Sequence, residues 1–411
     1  MLNWAQQFNI FCFLDNQQYG GTLHQYECLL AAGASSALQG TYEDLKKLDA
    51  FIGKSRWTFG HLSYELLHPL YKIDTTKKET TGFPPLFFFR PQTVLYIKDA
   101  LLYIEADDPQ TVYEELLTWS FENVSPSPEV LLQQRFSKEE YIRIVQQLQQ
   151  HILRGDCYEI NFCQEFFAHD AVVQPLQLFQ NLMHLSAAPF SAFYKVADSY
   201  LICASPERFL AKQKAKLLAQ PIKGTAKRSE NSAEDVALKE ALQHSAKEQA
   251  ENVMIVDLMR NDLSKICARE SVVVDELFGV YSFPQVHQLI STISGTVAAD
   301  ITFSQIIEAT SPMGSMTGAP KQRVLQLIEQ YEPTARGIFS GSVGYVSPEG
   351  DFDFNVVIRS IMYNKTTRAL SCQFGSGITF YSDAEQEWEE CLLKASAIKN
   401  VLSPLSPGGG T

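Results

Sequence analysis

Ile338-Phe339-Ser340-Gly341-Ser342-Val343-Gly344-Tyr345-Val346-Ser347-Pro348-Glu349-Gly350-Asp351-Phe352-Asp353-Phe354-Asn355-Val356-Val357-Ile358 opens a strand-rich block that runs to Phe374. Turns punctuate it at Ser347-Pro348-Glu349-Gly350 and at Asn364-Lys365. Strands joined by turns this short return beside their neighbours, so the block predicts an antiparallel meander. Helical patterns flank it: Val324 to Gln330 past Pro320 on one side, Ala384 to Val401 on the other.

Working outward, Ser137 with Glu140 three residues on forms a capping box. Tyr141, Ile144, Val145, Leu148 and Ile152 then repeat at helical spacing until Gly155. Tyr158 to Phe162, Tyr200 to Leu210 and Lys216 to Ala219 read as strands, and a long helical stretch runs from about Ala233 to Lys265. To about residue 120 the chain mixes short aromatic strands with polar turns, and Asp74 to Gly82 is a surface loop. Ser125-Pro126-Ser127-Pro128 suits an extended connector, and Ser403 onward reads as a disordered tail.

The composition excludes several function classes. A hydrophobic fraction of 45%, with 26 Phe and 17 Tyr, supports a substantial core. The formal charge of −13 argues against a nucleic-acid partner, because phosphate binding needs a basic face. The eight cysteines form no Cys-x-x-Cys pair and read as reduced core residues. No basic and apolar leader opens the chain and no stretch reaches the ~18 apolar residues of a membrane span, which predicts a cytoplasmic protein.

Several constellations are suited to chemistry. Lys223 sits in Pro221-Ile222-Lys223-Gly224-Thr225, an amine between a rigid proline and a permissive glycine. Glu248 and Glu251 lie three apart on one helix, and Glu387 and Glu390 three apart on another, with Lys394 four further on. Each set shares a helix face, so the four carboxylates are either solvated faces or hard oxygen donors for Mg²⁺. The apolar run after Glu251 carries that carboxylate into the core, where it needs a cation. The loop Ala309 to Lys321, with Gly314, Thr317 and Gly318, and the strand end Gly375-Ser376-Gly377 suit either a close-lying anionic ligand or ordinary turns. Arg359 interrupts a β-branched strand and needs a partner, either an internal acid or a ligand carboxylate.

Taken in order, Ala204 to Leu210, the Lys223 pentapeptide, Glu251 to Leu263, Gly314 to Lys321, Ile358-Arg359-Ser360 and Glu387 to Lys394 resemble the chorismate-utilising enzymes. The resemblance covers roughly residues 137 to 400. It implies an α+β fold, two antiparallel sheets packed face to face with helices outside. It also implies one synthase domain over residues 1–403, with 1–124 matching loosely and 137–402 forming the catalytic core. Family members that add water to chorismate carry a base lysine where this chain has Glu159, and the Pro-Ile-Lys-Gly-Thr form resembles the branch that aminates chorismate at C4.

That resemblance implies roles for particular residues. Lys223 is the expected nucleophile, acting as a neutral amine, and Glu248 the expected acid for the departing hydroxyl. Mg²⁺ is expected on Glu251, Glu387 and Glu390. Tyr345 and Arg359 are expected on the enolpyruvyl carboxylate; Gly375, Ser376, Gly377 and Lys394 on the ring carboxylate, with Thr317 also binding substrate. The expected partners are chorismate, ammonia and a separate glutaminase subunit, with the product stopping at 4-amino-4-deoxychorismate. Gln288 departs from the family's Val-His-His-Leu segment and leaves the proton inventory open. Two alternatives stand beside this reading: the anthranilate-forming branch, and a noncatalytic protein that keeps the pocket.

Overall fold

The structure, a computed structural model, describes residues 1–19, 24–119, 128–283 and 286–403. Most of the expected connector at 125–128 and the expected tail from 404 lie outside the described residues. Helices and antiparallel strands are mixed throughout, as expected, and the strands join into one hydrogen-bonded network.

Two long strands, Cys28–Gly40 and Leu86–Lys98, organise that network. Their register slips between Ala34 and Ser36, beside Gly33 at φ 69° and opposite Pro91. An irregularity of this kind bends a strand pair, and here it sends the two halves into different sheets. Cys28 to Ala32 pair with Ile10–Asp15, whereas Leu86 to Phe89 pair with Thr58–Leu62. From Ile10–Asp15 the first sheet continues through Phe190–Val196, Ser199–Ser205, Ser360–Asn364, Leu370–Ile378 and Glu159–Ala168. From Thr58–Leu62 the second continues through Ser342–Val346, Phe352–Asn355, Arg208–Gln213, Lys216–Gln220 and Val286–Thr296.

The two sheets share the largest core. Cys12, Leu29, Leu201 and Cys203 come from one, Phe59, Phe88, Val343 and Phe354 from the other. Burying a side chain such as Phe59 or Phe88 completely contributes about 1.5–3 kcal/mol. Helices cover the outside. Pro175–Ser186 and Ala384–Leu402 pack on the first sheet through Leu178, Phe179, Cys391 and Ala395. Lys138–Leu153 and Lys321–Tyr331 close a third cluster around Phe162 and Trp388.

Local expectations hold where a cap or period is strong. The helix Lys138–Leu153 starts at Ser137 with the capping box intact. The stretch from Ala233 to Lys265 is instead two helices, Ser232–Gln243 and Ala246–Ser264, because Ser245 caps a new start by accepting the Glu248 N–H. The strand expected over Tyr200 to Leu210 breaks between Ser205 and Arg208, around Pro206. The meander is also interrupted. Its first hairpin, Ser342–Val346 with Phe352–Asn355, belongs to the second sheet, and its last, Ser360–Asn364 with Leu370–Ile378, to the first. Arg359, expected inside a strand, lies at the crossing with φ 49°, a conformation that turns the chain from one sheet to the other.

Candidate active site

Lys223 stands on the strand Ile222–Lys227, which pairs irregularly with Val286–Thr296 between Ile222 and Thr225. Gly224, at φ 89°, supplies a backbone conformation that a side chain would strain. It also leaves room: a Cβ there would lie 2.9 Å from Glu248 Oε2. Glu248 is in the first turn of Ala246–Ser264, so the Ser245 cap sets its position against this strand. Glu251, one turn on, brings a carboxylate oxygen to 3.9 Å from Lys223 Nζ.

The nearest partner of the amine was not among the expected site residues. Glu159, at the head of the strand Glu159–Ala168, holds Lys223 Nζ at 2.5 Å through Oε1. Gly377 covers both, since a Cβ on it would lie 2.7 Å from Glu159 Oε1 and 2.9 Å from Lys223 Nζ. Strand pairing explains the juxtaposition, because Leu370–Ile378 runs against Glu159–Ala168 with Gly377 opposite Asn161. The expected glycine-rich strand end therefore forms the roof over the lysine.

The electrostatics bear on the expected role of the amine. Burial opposes the charge on Lys223, but Glu159 and Glu251 outweigh it and raise the amine above its ordinary value. With its charge favoured by these carboxylates, Lys223 has to pass on a proton before it can act as a nucleophile. The acids respond in kind. Burial pushes Glu251 up to about 7 against the pull of Lys223, with Glu159 and Glu248 adding to the rise. Burial likewise pushes Glu207 up to about 7, opposed by the Ser315 hydroxyl, Lys223, the Ile222 backbone and Arg359. Glu390 is lowered although burial opposes it, chiefly by Lys394 at 2.8 Å.

Buried polar atoms without partners mark the same region. Glu159 Oε2, Asn252 Nδ2 and Gln288 Oε1 find no hydrogen bond among the described residues. Gln288 sits opposite Thr225, two residues from Lys223, and Asn252 follows Glu251. Leaving such atoms bare costs about 1–3 kcal/mol each, and of these Glu159 and Gln288 are the two that a hydrogen bond or strand pairing ties to the Lys223 strand.

The other expected residues separate into two groups. Lys394 donates to the Gly375 carbonyl at 2.9 Å, which ties the helix Ala384–Leu402 to the roof, and Glu387 is buried on that helix. Thr317 spends its hydroxyl on the Met313 and Gly314 carbonyls, and its own carbonyl accepts the Asn161 N–H. Arg359 has no hydrogen bond to its guanidinium among the described residues; burial lowers it while Glu207 and Tyr19 oppose the change. Tyr345 does not join Arg359. Its ring packs edge-on against Tyr26 and tilted against Trp57 and Phe59, because its strand pairs with Thr58–Leu62. The backbone beside Val357, two residues before Arg359, is that of Ser340 and Gly341. His287 is also engaged elsewhere, between Asp235 at 3.0 Å and Ser282 at 2.9 Å.

Arg336 is a further residue that the sequence did not single out. It is fully buried, pairs with Glu332, and donates to the carbonyls of Met316 and Asn161. It thereby fastens the glycine-and-hydroxyl loop to the strand of Glu159. Among the described residues no three acidic, histidine or cysteine side chains converge as a preformed metal cage. Mg²⁺ does not require one, since it binds through one or two carboxylates and keeps waters or substrate oxygens.

The sequence profile of the chorismate binding enzyme family matches residues 12–400. The chain is 40% identical over 273 residues to the probable chloroplastic aminodeoxychorismate synthase of Oryza sativa subsp. japonica, covering 66% of this chain and 30% of that protein. It is 38% identical over 270 residues to aminodeoxychorismate synthase component 1 of Escherichia coli K12, covering 66% and 59%. The chain thus spans less than two thirds of either relative. The crystal structure of anthranilate synthase component I from Streptococcus pneumoniae superposes with a TM-score of 0.81 at 24% identity, covering 93% of this chain and 94% of that one.

Proposed function

The chain belongs to the chorismate binding enzymes, and within that family we propose that it aminates chorismate at C4 to give 4-amino-4-deoxychorismate. The observation that carries the reading is the buried Lys223 amine, held 2.5 Å from Glu159 beneath Gly377. Similarity to aminodeoxychorismate synthases over two thirds of the chain supports the same branch.

In this reading the proton of Lys223 passes to a neighbouring carboxylate, and Glu159 Oε1 is the nearest acceptor. The free amine attacks C2 of the ring, the double bonds shift, and the C4 hydroxyl leaves with a proton from Glu248. The new secondary ammonium keeps its proton; ammonia attacks C4, the double bonds shift back, the lysine departs from C2 as a neutral amine, and the ammonium formed at C4 gives its extra proton to a neighbouring carboxylate. Two displacements return the configuration at C4. Glu251, Glu387 and Glu390 would hold Mg²⁺, which supplies an anchor for a substrate carboxylate when bound. Burial and like charge hold Glu251 at about 7, a cost that a divalent cation would relieve. Arg359 and the Gly375 to Gly377 roof would receive the two carboxylates of chorismate, and a separate glutaminase subunit would supply the ammonia.

Mass spectrometry of the product from chorismate, Mg²⁺ and an ammonium salt tests the reaction. The expected product retains the enolpyruvyl group and one added nitrogen. Anthranilate with pyruvate would assign the chain to the other branch. Lys223→Ala should abolish detectable amination; undiminished 4-amino product would remove the lysine from the chemistry.

A further inference from the structure

Lys223 and Gly224 fall where the pairing of Ile222–Lys227 with Val286–Thr296 slips, between Ile222 opposite Ile290 and Thr225 opposite Gln288. A ladder that lapses at the amine does not by itself fix where the amine stands. Just before the slip, the Ser291 N–H donates to the Pro221 carbonyl at 3.2 Å. Pro221 has no N–H to return, so this bond is what the backbone offers there.

Ser291 also reaches away from the strand. Its hydroxyl donates to Asn252 Oδ1 at 2.6 Å and accepts the Phe278 N–H at 3.1 Å. Ser291 and Asn252 are both 0% exposed. Asn252 lies in the helix Ala246–Ser264, next to Glu251, whose carboxylate stands 3.9 Å from Lys223 Nζ. The bond is thus a strut from the helix of Glu248 and Glu251 to the strand that holds the Pro221 carbonyl. Further along the helix, Ile255, Val256 and Met259 share the apolar core with Ile293. Apolar packing is not directional and tolerates a small slide of the helix, whereas a hydrogen bond prescribes a distance and an angle.

The strut has a cost, since Asn252 Nδ2 finds no hydrogen bond among the described residues. An apolar side chain at 252 would leave no such amide atom bare, so stability alone does not account for the asparagine.

We infer that Asn252 and Ser291 are positioning residues for the amine: their bond sets the spacing between Lys223 and the carboxylates of the helix. The effect on turnover rests on the amination reading above, while the effect on Lys223 itself does not.

The test compares the parent with Ser291→Ala and with Asn252→Leu/Ser291→Ala, which replaces both partners by apolar groups and so restores stability without the strut. Ser199→Ala is the control; it removes another buried hydroxyl bond, from Ser199 Oγ to the Thr81 carbonyl at 2.7 Å. Two quantities are measured: kcat and KM for chorismate with Mg²⁺ and ammonium salt, and the rate at which acetic anhydride modifies Lys223 without substrate, read by peptide mass spectrometry. Both strut variants should lose roughly tenfold or more in kcat with KM nearly unchanged. Lys223 should be acetylated roughly threefold faster or more in both, because a looser hold by Glu251 leaves more of the amine neutral and open. Ser199→Ala should change neither quantity. Unchanged acetylation in both strut variants overturns the inference, and so does a loss of kcat that Ser199→Ala matches at an equal loss of thermal stability. Failure of the parent to aminate counts against the reaction instead, and the acetylation rate still decides the strut.

Discussion

At the residue scale, the site depends on what is missing from Gly377 as much as on what Lys223 carries. A methyl group there would stand 2.9 Å from the amine, closer than carbon tolerates. Both atoms it meets are ends of side chains, so the fold can absorb the change by displacing Lys223 and Glu159. Gly377→Ala should therefore leave the thermal transition nearly unchanged while lowering kcat/KM by at least tenfold, because a displacement of about 1 Å at a reacting group can cost ~100-fold. A parallel loss of stability and activity would indicate a structural role alone. Lys223, Glu248 and Glu251 were legible in the sequence because helical spacing and a proline-glycine bracket are local signals. Glu159 was legible only as a departure from a family position, and Glu207 only as part of the Ala204 to Leu210 segment, with no role of its own. Glu159 meets Lys223 across 64 residues of sequence, and only the folding of the strands brings them together.

At the scale of elements, caps and breaks set the geometry. The single long helix expected over Ala233 to Lys265 would place Glu248 in mid-helix; the Ser245 cap puts it in a first turn, against the strand that carries Lys223. The preceding helix, Ser232–Gln243, is fastened by Asp235, which joins Arg228 at 2.9 Å and His287 at 3.0 Å. Arg228, with the Ser229 N–H and His287, holds the Asp235 carboxyl well below its usual value. A carboxyl lowered on folding stabilises the native state above its ordinary value of 3.8, and that stability is lost as pH falls through the lowered one. Asp235→Asn should accordingly lower the urea midpoint at neutral pH, with the gap closing in strong acid. An equal gap at both ends would mean that packing, not charge, is what the substitution removes. The Arg359 crossing was hidden from sequence reading, because Val356-Val357-Ile358 has strand character and nothing local marks a left-handed residue after it.

At the scale of the whole molecule, the amino-terminal part is woven into both sheets. Thr58–Leu62 pairs with Ser342–Val346, and Ile10–Asp15 pairs with Phe190–Val196. The sequence suggested a loosely matching front part and a catalytic core over 137–402, a division drawn from motifs, which sit in the core, and not from pairing. Residues 137–402 expressed alone should show no cooperative thermal transition, since that cut strips a neighbouring strand from each sheet and opens Phe354 and Val343 to water. A sharp transition from that fragment would establish it as an independent folding unit.

The bend at Gly33 in the shared strands also bears on how the protein is made. The two strands that organise both sheets emerge from the ribosome early, yet Thr58–Leu62 must wait for Ser342–Val346, some 280 residues later in synthesis. Contacts so distant along the chain form slowly, and apolar strands meanwhile stand with open edges that other chains can join. Phe59 and Leu62 lie in that waiting strand. The device that gives the finished enzyme two facing sheets thus makes the nascent chain a client for chaperones.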